Sequence, residues 1–387
     1  MANGTYTPAD LLRTLVSFDT ISEYSNLELI RFVETYLRRH GIDSLLTFNE
    51  DDTKANLFAT IGPHSGAAGV VLSGHTDVVP VDGQQWSTNP FEVVQRNGRL
   101  YGRGTADMKG FIACVLALVP EFVRTDLRSP IHIALTYEEE NTCHGAVQLV
   151  ETLKTMGFQP EAVIIGEPTD MQIVSAHKGH HAFETSVVGQ EAHASLTHRG
   201  VNAIAIAARL IEFLCDLGEE LKAHTRPLPG LEPPYTTINV GTIEGGTGFN
   251  IVPSVCRFRW EVRPIPGQDV NEVRQRFNAF AQTLLPDARS VASHAAIETR
   301  QTMAVGTFEP HDDSPAERLV MSLARTNQTW AIPFGTEAPY YQAADMPVVV
   351  FGPGSVENAH KPDEYITVEQ MDACVDFLRR LAGRLSA

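Results

Sequence analysis

The stretch Gly69-Val-Val-Leu-Ser-Gly-His-Thr-Asp77 decides how this chain folds. An apolar run of this kind, ended by glycine, is typical of a strand that is buried on both faces of an α/β sheet. His75 and Asp77 follow directly at the carboxyl end of the run. Because functional residues of open α/β sheets gather outside the carboxyl ends of the strands, the stretch predicts both the sheet and the position of its site.

Segments on either side of this stretch predict the rest of an α/β domain. Strands are predicted at 56–61, 131–137, 162–165 and 347–351. Apolar residues at helical spacing predict helices at 8–16, 26–39, 110–123, 316–326 and 368–385. The first of these helices begins with a capping threonine, Thr7, followed by proline.

A second domain is predicted inside the first, because the sequence changes character after about residue 177. Strands at 183–188, 236–243 and 254–262 alternate there with helices at 201–217 and 270–284, and residues 219–234 predict an exposed, proline-rich loop. We expect residues 1–178 and 299–387 to form a catalytic domain and residues 179–298 an inserted α+β domain.

Composition and charge exclude several classes of function. The net charge of −17 disfavours binding to a nucleic-acid backbone. Five cysteines without a C-x-x-C pair disfavour a disulfide framework and a cysteine-rich zinc module. The N-terminus lacks the pattern of a secretory signal, and the longest apolar run, 111–119, is far shorter than the ~20 residues of a membrane span. We therefore expect a cytoplasmic protein without membrane or nucleic-acid partners.

Acidic and imidazole side chains recur beside the predicted strand ends. Besides His75 and Asp77, they are Asp107 before a helix, Glu138-Glu139-Glu140 and Glu167 after strands, and His360. Each alone also fits a structural role, such as a helix cap or a solvated acid, but their coincidence at one sheet edge favours a metal site. Clustered carboxylates repel one another unless cations intervene. Histidine nitrogen with carboxylate oxygen suits zinc, and also cobalt or manganese.

Seven motifs spread along the chain carry a family resemblance. They are GHTDVVP (74–80), GRGTADMKG (102–110), LTYEEENTCHGA (135–146), IIGEPT (164–169), GQEAHASLTHRGVNAI (189–204), GGTGFNIVPSVC (245–256) and AHKPDEY (359–365). Together they resemble the dinuclear zinc amidohydrolases of the acetylornithine deacetylase, succinyl-diaminopimelate desuccinylase and aminoacylase family, over essentially the whole chain. YGRGTADMKG, FGTEAPYY and GPGSVENAHKPDEYI look most like the acetylornithine deacetylases. The resemblance implies a mixed-sheet, zinc-exopeptidase-like α/β domain with an inserted ferredoxin-like lid and dimerisation domain.

The resemblance also implies a ligand set for two Zn²⁺ ions, with Co²⁺ or Mn²⁺ as substitutes. His75 and His360 would bind different metals, and Asp107 would bridge them. Glu167 would join the metal of His75, and Glu140 would join the metal of His360.

Glu139 would be the general base rather than a ligand, and Asp77 would hydrogen-bond His75 and orient its ring. The run Glu138-Glu139-Glu140 departs from the family's usual Asp-Glu-Glu, and a glycine is missing at Thr142. Tyr137 upstream and Cys143-x-Gly-Ala downstream anchor the register that makes Glu139 the base.

The inserted segment would supply His193, which by resemblance reaches a neighbouring subunit's site and stabilises the oxyanion. That role implies a homodimer through the inserted domain. Without the resemblance, His193 is equally well read as a surface histidine.

Five residues are candidates for substrate binding, and four of them match positions that contact substrate in the family. Asn250 and Arg263 would bind the amino-acid end, although Arg263 also fits a strand-surface salt bridge. Gly335 and Thr336 match a substrate-contacting turn. Glu337 is expected either to recognise a cationic side chain such as that of ornithine or to be a plain loop acid.

The expected reaction is hydrolysis of an N-acyl amino acid, first of all N-acetyl-L-ornithine to L-ornithine and acetate, a step of arginine biosynthesis. The same chemistry on another N-acyl amino acid, on N-succinyl-diaminopimelate or on a dipeptide remains an alternative. So does a metal-bound binding protein without catalytic activity.

Overall fold

A computed structural model describes residues 6–63, 68–224, 227–228 and 230–386, and the chain divides into two compact units. The first unit comprises Met1–Ser175, His311–Trp330 and Thr336–Ala387. The second comprises Ala176–Pro310 and Ala331–Gly335. A segment is therefore inserted into the first unit, and it begins close to the predicted boundary at residue 178.

The helices and strands alternate along most of the described chain. The helices are α1 (Pro8–Val16), α2 (Leu27–Arg39), α3 (Lys109–Arg124), α4 (His144–Thr155), α5 (Ala203–His224), α6 (Val270–Val291), α7 (Pro315–Ala324), α8 (Ala338–Ala343) and α9 (Val368–Ser386). The strands are β1 (Ser44–Phe48), β2 (Ala55–Ile61), β3 (Val70–His75), β4 (Val94–Arg96), β5 (Arg99–Tyr101), β6 (Ile131–Thr136), β7 (Ala162–Ile165), β8 (Ile173–His177), β9 (His180–Val188), β10 (Ala192–His193), β11 (Thr237–Gly245), β12 (Ile251–Val252), β13 (Val255–Arg263), β14 (Ala296–Val305), β15 (Thr329–Ile332), β16 (Val348–Val350) and β17 (Tyr365–Thr367).

The first unit is built on a mixed sheet with the order β1-β2-β6-β3-β7-β16-β8-β15. Strands β6, β3, β7 and β16 run parallel to one another, whereas β1, β2 and β8 pair antiparallel with their neighbours. Every residue of β3, β6 and β7 is buried, which explains why these strands read as continuous apolar runs. The prediction of a mixed α/β fold is confirmed.

The helices of the first unit bury apolar faces in the same core as the sheet. Helix α1 begins where the sequence predicted, with Thr7 and Asp10 forming a capping box and Pro8 in the first turn. Helix α3 buries residues on most of its circumference, from Lys109 to Phe122, which is expected of a helix enclosed by protein. The helix begins two residues after Asp107, so a buried helix fixes the position of the segment that contains this predicted ligand.

The second unit follows the chain order β9-α5-β11-β13-α6-β14, and its antiparallel sheet has the order β11-β13-β9-β14. This is the ferredoxin-like arrangement. Alternate residues of β13 point inward with Phe183 of β9, and they pack with both helices in one core. Trp260 is 2% exposed, and its indole N–H donates to the hydroxyl of Thr185 at 3.0 Å.

Several elements of the structure were not predicted, among them helix α4 and strand β14. Helix α4 has no side-chain cap, because Cys143 precedes it in a left-handed conformation. Strand β14, which pairs with β9, buries only Val305 fully, so it lacks an apolar alternation. The predicted boundary at 298/299 is therefore wrong, since it falls inside β14.

The predicted loop at 219–234 also begins too early. Helix α5 continues to His224. Residues 225–226 and 229, which belong to the same prediction, lie outside the described part of the chain.

Among the helices that the structure describes, none has the length and apolar content that a membrane crossing requires.

Candidate metal centre

The carboxyl ends of four parallel strands create the centre in the first unit. Strands β3, β6, β7 and β16 end at one edge of the sheet, as the parallel register requires. His75 is the last residue of β3, Glu139 and Glu140 follow β6, and Glu167 follows β7. Asp107 comes from the segment before α3 and meets them there.

Asp107 lies between two imidazole rings. Its Oδ1 is 3.1 Å from Nε2 of His75, and its Oδ2 is 3.2 Å from Nε2 of His360. The carboxylate of Glu140 lies 2.9 Å from the same nitrogen of His360. Glu167 Oε1 is 3.9 Å from Nε2 of His75. The structure thus brings together all five residues predicted as ligands, with Asp107 in the shared position.

The two histidines differ in their surroundings. The side chain of His75 is 1% exposed, whereas that of His360 is 53% exposed. His360 adopts a left-handed backbone conformation, with φ of 62°. This exposed histidine lies on a loop, so other parts of the chain must hold its ring against Asp107.

Asp77 holds the backbone of the glutamate loop. Its Oδ1 accepts the main-chain N–H of Glu139 at 3.1 Å, and its Oδ2 accepts that of Glu140 at 3.2 Å. The hydroxyl of Ser22 donates to Oδ2 at 2.6 Å. Nδ1 of His75 bonds instead to the main-chain oxygen of Asp77 at 3.0 Å, and the carboxylate is 3.6 Å away. Asp77 therefore orients His75 through its backbone, not through its carboxylate as predicted.

The three glutamates of the centre have raised pKa values, because burial and neighbouring carboxylates disfavour their charged forms. Burial, and then the charge of Glu167, raises the pKa of Glu139 well above its usual value. Burial, followed by the charge of Asp107, raises the pKa values of Glu140 and Glu167 as well. Hydrogen bonds to Asp107 and then Glu140 raise the pKa of His360 to about 11. The centre therefore favours positive charge between these side chains.

The donor set fits a divalent cation. One group of potential ligand atoms joins His75, Asp107 and Glu140, and another joins His75, Glu139 and Glu167, with all atoms of each group within 4.8 Å of one another. Oε1 of Glu167 is buried without a hydrogen-bond partner among the described residues. An orphaned carboxylate oxygen beside an imidazole is the arrangement that a metal ion completes. Because Glu139 also lies within reach, distance alone does not separate base from ligand.

Glu337 and Thr336 lie in the wall behind the centre. Glu337 is fully buried, and its Oε1 accepts the hydroxyl of Thr136 at 2.5 Å. Burial, partly offset by this hydrogen bond, raises the pKa of Glu337 to about 7. The hydroxyl of Thr336, also buried, accepts the N–H of Ala338 at the start of α8. Neither side chain offers an exposed atom to a substrate, and the expected contact of Glu337 with a cationic side chain stays a prediction.

The remaining predicted residues belong to the second unit. His193 is exposed and pairs with Ile251 between β10 and β12. The neighbouring Ala194 N–H donates to the main-chain oxygen of Asn250 at 2.9 Å, so His193 and Asn250 lie side by side.

Arg263, at the end of β13, donates to Glu261 at 3.3 and 3.4 Å, which matches its alternative as a strand-surface salt bridge. Gly335 packs closely on Val305, since a Cβ atom there would lie 3.1 Å from Cγ1 of Val305.

Two ion pairs near the centre were not predicted. Lys54 contacts both Glu138 and the main-chain oxygen of Ser22. Arg103 and Glu364 form a buried pair behind Asp107. Arg103 lies in the motif GRGTADMKG and Glu364 in AHKPDEY, where the sequence analysis assigned roles only to Asp107 and His360. Nothing in the sequence indicates that Arg103 and Glu364 are in contact.

Comparisons with known proteins cover nearly the whole chain. A family profile described as peptidase family M20/M25/M40 matches residues 71–384. The acetylornithine deacetylase of Proteus mirabilis (strain HI4320) is 34% identical over 383 residues, which are 97% of this chain and 95% of that protein. The acetylornithine deacetylase of Photorhabdus laumondii is 34% identical over 364 residues, 92% of this chain and 91% of that protein.

Solved structures share the fold. A tripeptidase from Staphylococcus aureus matches with a TM-score of 0.74 at 18% identity, over 99% of this chain and 100% of the other. A dinuclear metal-binding peptidase from Bacillus subtilis matches with a TM-score of 0.64 at 16% identity, over 97% of this chain and 96% of the other.

Proposed function

The chain belongs to peptidase family M20/M25/M40 and is a metal-dependent amidohydrolase, and from this premise we propose that it deacetylates N-acetyl-L-ornithine to L-ornithine and acetate. The observation that carries the proposal is Asp107 between His75 and His360, in a chain that is 34% identical to acetylornithine deacetylases over most of its length. In this role the chain would serve arginine biosynthesis.

We assign the ligands to two metal ions. His75 and Glu167 would hold one, His360 and Glu140 would hold the other, and Asp107 would be shared by both. Two Zn²⁺ ions held there would lower the pKa of water from 15.7 to about 7 and polarise the amide carbonyl. Co²⁺ and Mn²⁺ accept the same nitrogen and oxygen donors.

Glu139 moves the proton in this proposal. Its main-chain N–H is held by Asp77, so its carboxylate projects from a fixed loop beside His75 and Glu167. Burial and the charge of Glu167 raise the pKa of this carboxylate, which strengthens it as a general base. Glu139 takes a proton from the attacking water and returns it to the departing amine.

Binding of the substrate's amino-acid end is assigned to Asn250 and Arg263. The planar guanidinium of Arg263 suits a bidentate contact with the α-carboxylate. In the structure it is paired with Glu261, so a substrate carboxylate would compete with that residue. Gly335 and Thr336 would contribute main-chain contacts, since the Thr336 hydroxyl is already bonded.

His193 is proposed as the donor to the oxyanion in the site of a partner subunit, within a homodimer formed through the second unit, which also acts as a lid. Its Nδ1 accepts the main-chain N–H of Ser195 at 3.2 Å. A neutral ring that accepts at Nδ1 carries its proton at Nε2. That tautomer donates outward from an exposed loop, which is what an oxyanion requires.

Mixing two inactive variants tests the role of His193. His193→Ala and Glu139→Gln are each expected to be nearly inactive alone. Refolded together in equal amounts, they should recover about a quarter of wild-type activity, because half of the dimers contain one complete site. Each variant refolded alone is the control. Failure to recover activity in verified mixed dimers would contradict a role in the partner's site.

Acetate release from N-acetyl-L-ornithine tests the proposed function directly. The purified protein should lose activity on chelation and regain it with Zn²⁺ or Co²⁺. A panel of other N-acyl amino acids, N-succinyl-diaminopimelate and dipeptides measures kcat/KM for the competing substrates. If kcat/KM were higher for one of these compounds than for N-acetyl-L-ornithine, the proposed chemistry would stand and that compound would be the substrate. Metal binding without turnover of any amide would favour the non-catalytic binding protein instead.

A further inference from the structure

A buried ion pair lies behind the centre. Arg103 and Glu364 are each 1% exposed, and Nη1 of Arg103 donates to Oε2 of Glu364 at 2.7 Å. We propose that this pair is a positioning device, which sets the spacing between Asp107 and His360 and thereby the affinity of the metal that these two residues share. The inference rests on the proposed two-metal function.

One half of the device holds Asp107. Oε1 of Glu364 accepts the main-chain N–H groups of Ala106 at 2.9 Å and of Asp107 at 3.1 Å. The main-chain oxygen of Glu364 accepts the N–H of Gly102 at 2.9 Å. Glu364 therefore fixes the segment before α3 at the residue whose carboxylate bridges the two imidazoles.

The other half reaches His360. Nη2 of Arg103 donates to Oε1 of Gln84 at 2.6 Å, and Nε2 of Gln84 donates to the main-chain oxygen of His360 at 3.0 Å. Nη1 of Arg103 also points at the main-chain oxygen of Lys361, at 3.4 Å. His360 is exposed and lies on a loop, and these hydrogen bonds through Gln84 and Arg103 connect its backbone to the segment of Asp107.

The charge of the pair has a physical reason. A guanidinium carries five N–H donors. Nη1 and Nη2 of Arg103 connect its own segment with those of Gln84 and Glu364, whereas its buried Nε has no hydrogen-bond partner among the described residues. A buried ion pair is weak evidence for stability, because its desolvation offsets its attraction, so its retention suggests a geometric role. His75 does not depend on the pair, since it ends β3 and bonds to Asp77. The device should therefore act on one metal more than on the other.

Metal binding to Glu364→Gln tests the inference. The substitution keeps an acceptor for the two N–H groups but removes the charge that holds Arg103. Titration with Zn²⁺ against a competing chelator should give one site near wild-type affinity and one weakened about 10–100-fold. Excess Zn²⁺ should restore kcat while KM stays unchanged, and the circular dichroism spectrum should remain that of the folded protein.

Three further variants separate positioning from folding. Glu121→Gln breaks another arginine–glutamate pair of the same unit, with Arg379 at 3.1 Å on the surface, and should bind both metals normally. Gln84→Ala removes the link to His360 together with the bond from Nη2 of Arg103, but leaves the contact between Nη1 of Arg103 and Glu364, and should weaken the same single site. The double variant Arg103→Gln/Glu364→Gln should lose little more than either single variant, because the two side chains act as a unit.

Two results would overturn the inference while leaving the proposed function intact. One is unchanged affinity for both metals in Glu364→Gln and Gln84→Ala. The other is a parallel loss of both metals that follows unfolding, because it would make the pair purely structural. A wild-type protein that binds no metal would contradict the proposed function itself, and the inference with it.

Discussion

Glu139→Gln is expected to lower kcat on N-acetyl-L-ornithine by about 10²–10⁴-fold, the usual contribution of a general acid–base group. Glutamine has the shape of glutamate but cannot accept the proton. The main-chain N–H of Glu139 would keep its bond to Asp77, so the loop should not move. KM and the content of bound metal should therefore stay at wild-type values.

The neighbouring Glu138→Gln is the matched control for this variant. Glu138 faces Lys54 rather than the centre, and glutamine retains an acceptor for that lysine, so activity should change only slightly. Measuring metal content beside kcat decides what Glu139 does, because its oxygen lies within 4.8 Å of ligand atoms of His75 and Glu167. Loss of one metal ion together with kcat would make Glu139 a ligand. An unchanged kcat would remove it from the mechanism.

Asp107→Asn is expected to abolish binding of both metals at ordinary concentrations. Its two oxygens face different imidazoles, and an amide cannot carry the charge that two cations share. Because bound metal contributes several kcal/mol to catalysis, and about 1.4 kcal/mol corresponds to a tenfold change, activity should fall about 10³-fold or more. Elemental analysis after dialysis and steady-state kinetics measure the two effects.

Thermal unfolding adds an independent readout for Asp107. A ligand that binds only the folded state raises the midpoint of unfolding, so Zn²⁺ should raise it for the wild type and leave Asp107→Asn unchanged. Asp82→Asn is the control, since Asp82 is exposed in the loop that follows β3. If Asp107→Asn kept two bound metals per chain, the bridging role would be wrong. Loss of only one would resemble the effect expected for Glu364→Gln.

The sequence by itself determined the parts of the fold that depend on local pattern. The apolar runs of β3 and β7, the helix cap at Thr7 and the amphipathic α9 are found close to where they were predicted. The candidate ligands could also be identified, because a parallel sheet brings the residues after its strands to one edge whatever the connections between them.

Elements without a local signal could not be predicted. Strand β14 is polar on its exposed positions and is stabilised by its pairing with β9, a contact between residues more than one hundred positions apart. In this strand, tertiary contacts rather than propensity select the conformation. Helix α4 differs, because Ala146, Leu149, Val150 and Leu153 recur at helical spacing, and only the signal for its start is missing, at a left-handed Cys143 without a side-chain cap.

Only the tertiary structure decided which groups touch. In the folded chain, the carboxylate of Asp77 accepts the main-chain N–H groups of Glu139 and Glu140. Glu337 is buried, and Arg103 pairs with Glu364, which lies 261 positions away in the sequence. Sequence periodicity reports which face of an element is buried. It carries no information on which partner a buried polar group meets, because that partner arrives from a distant segment only when the chain has folded.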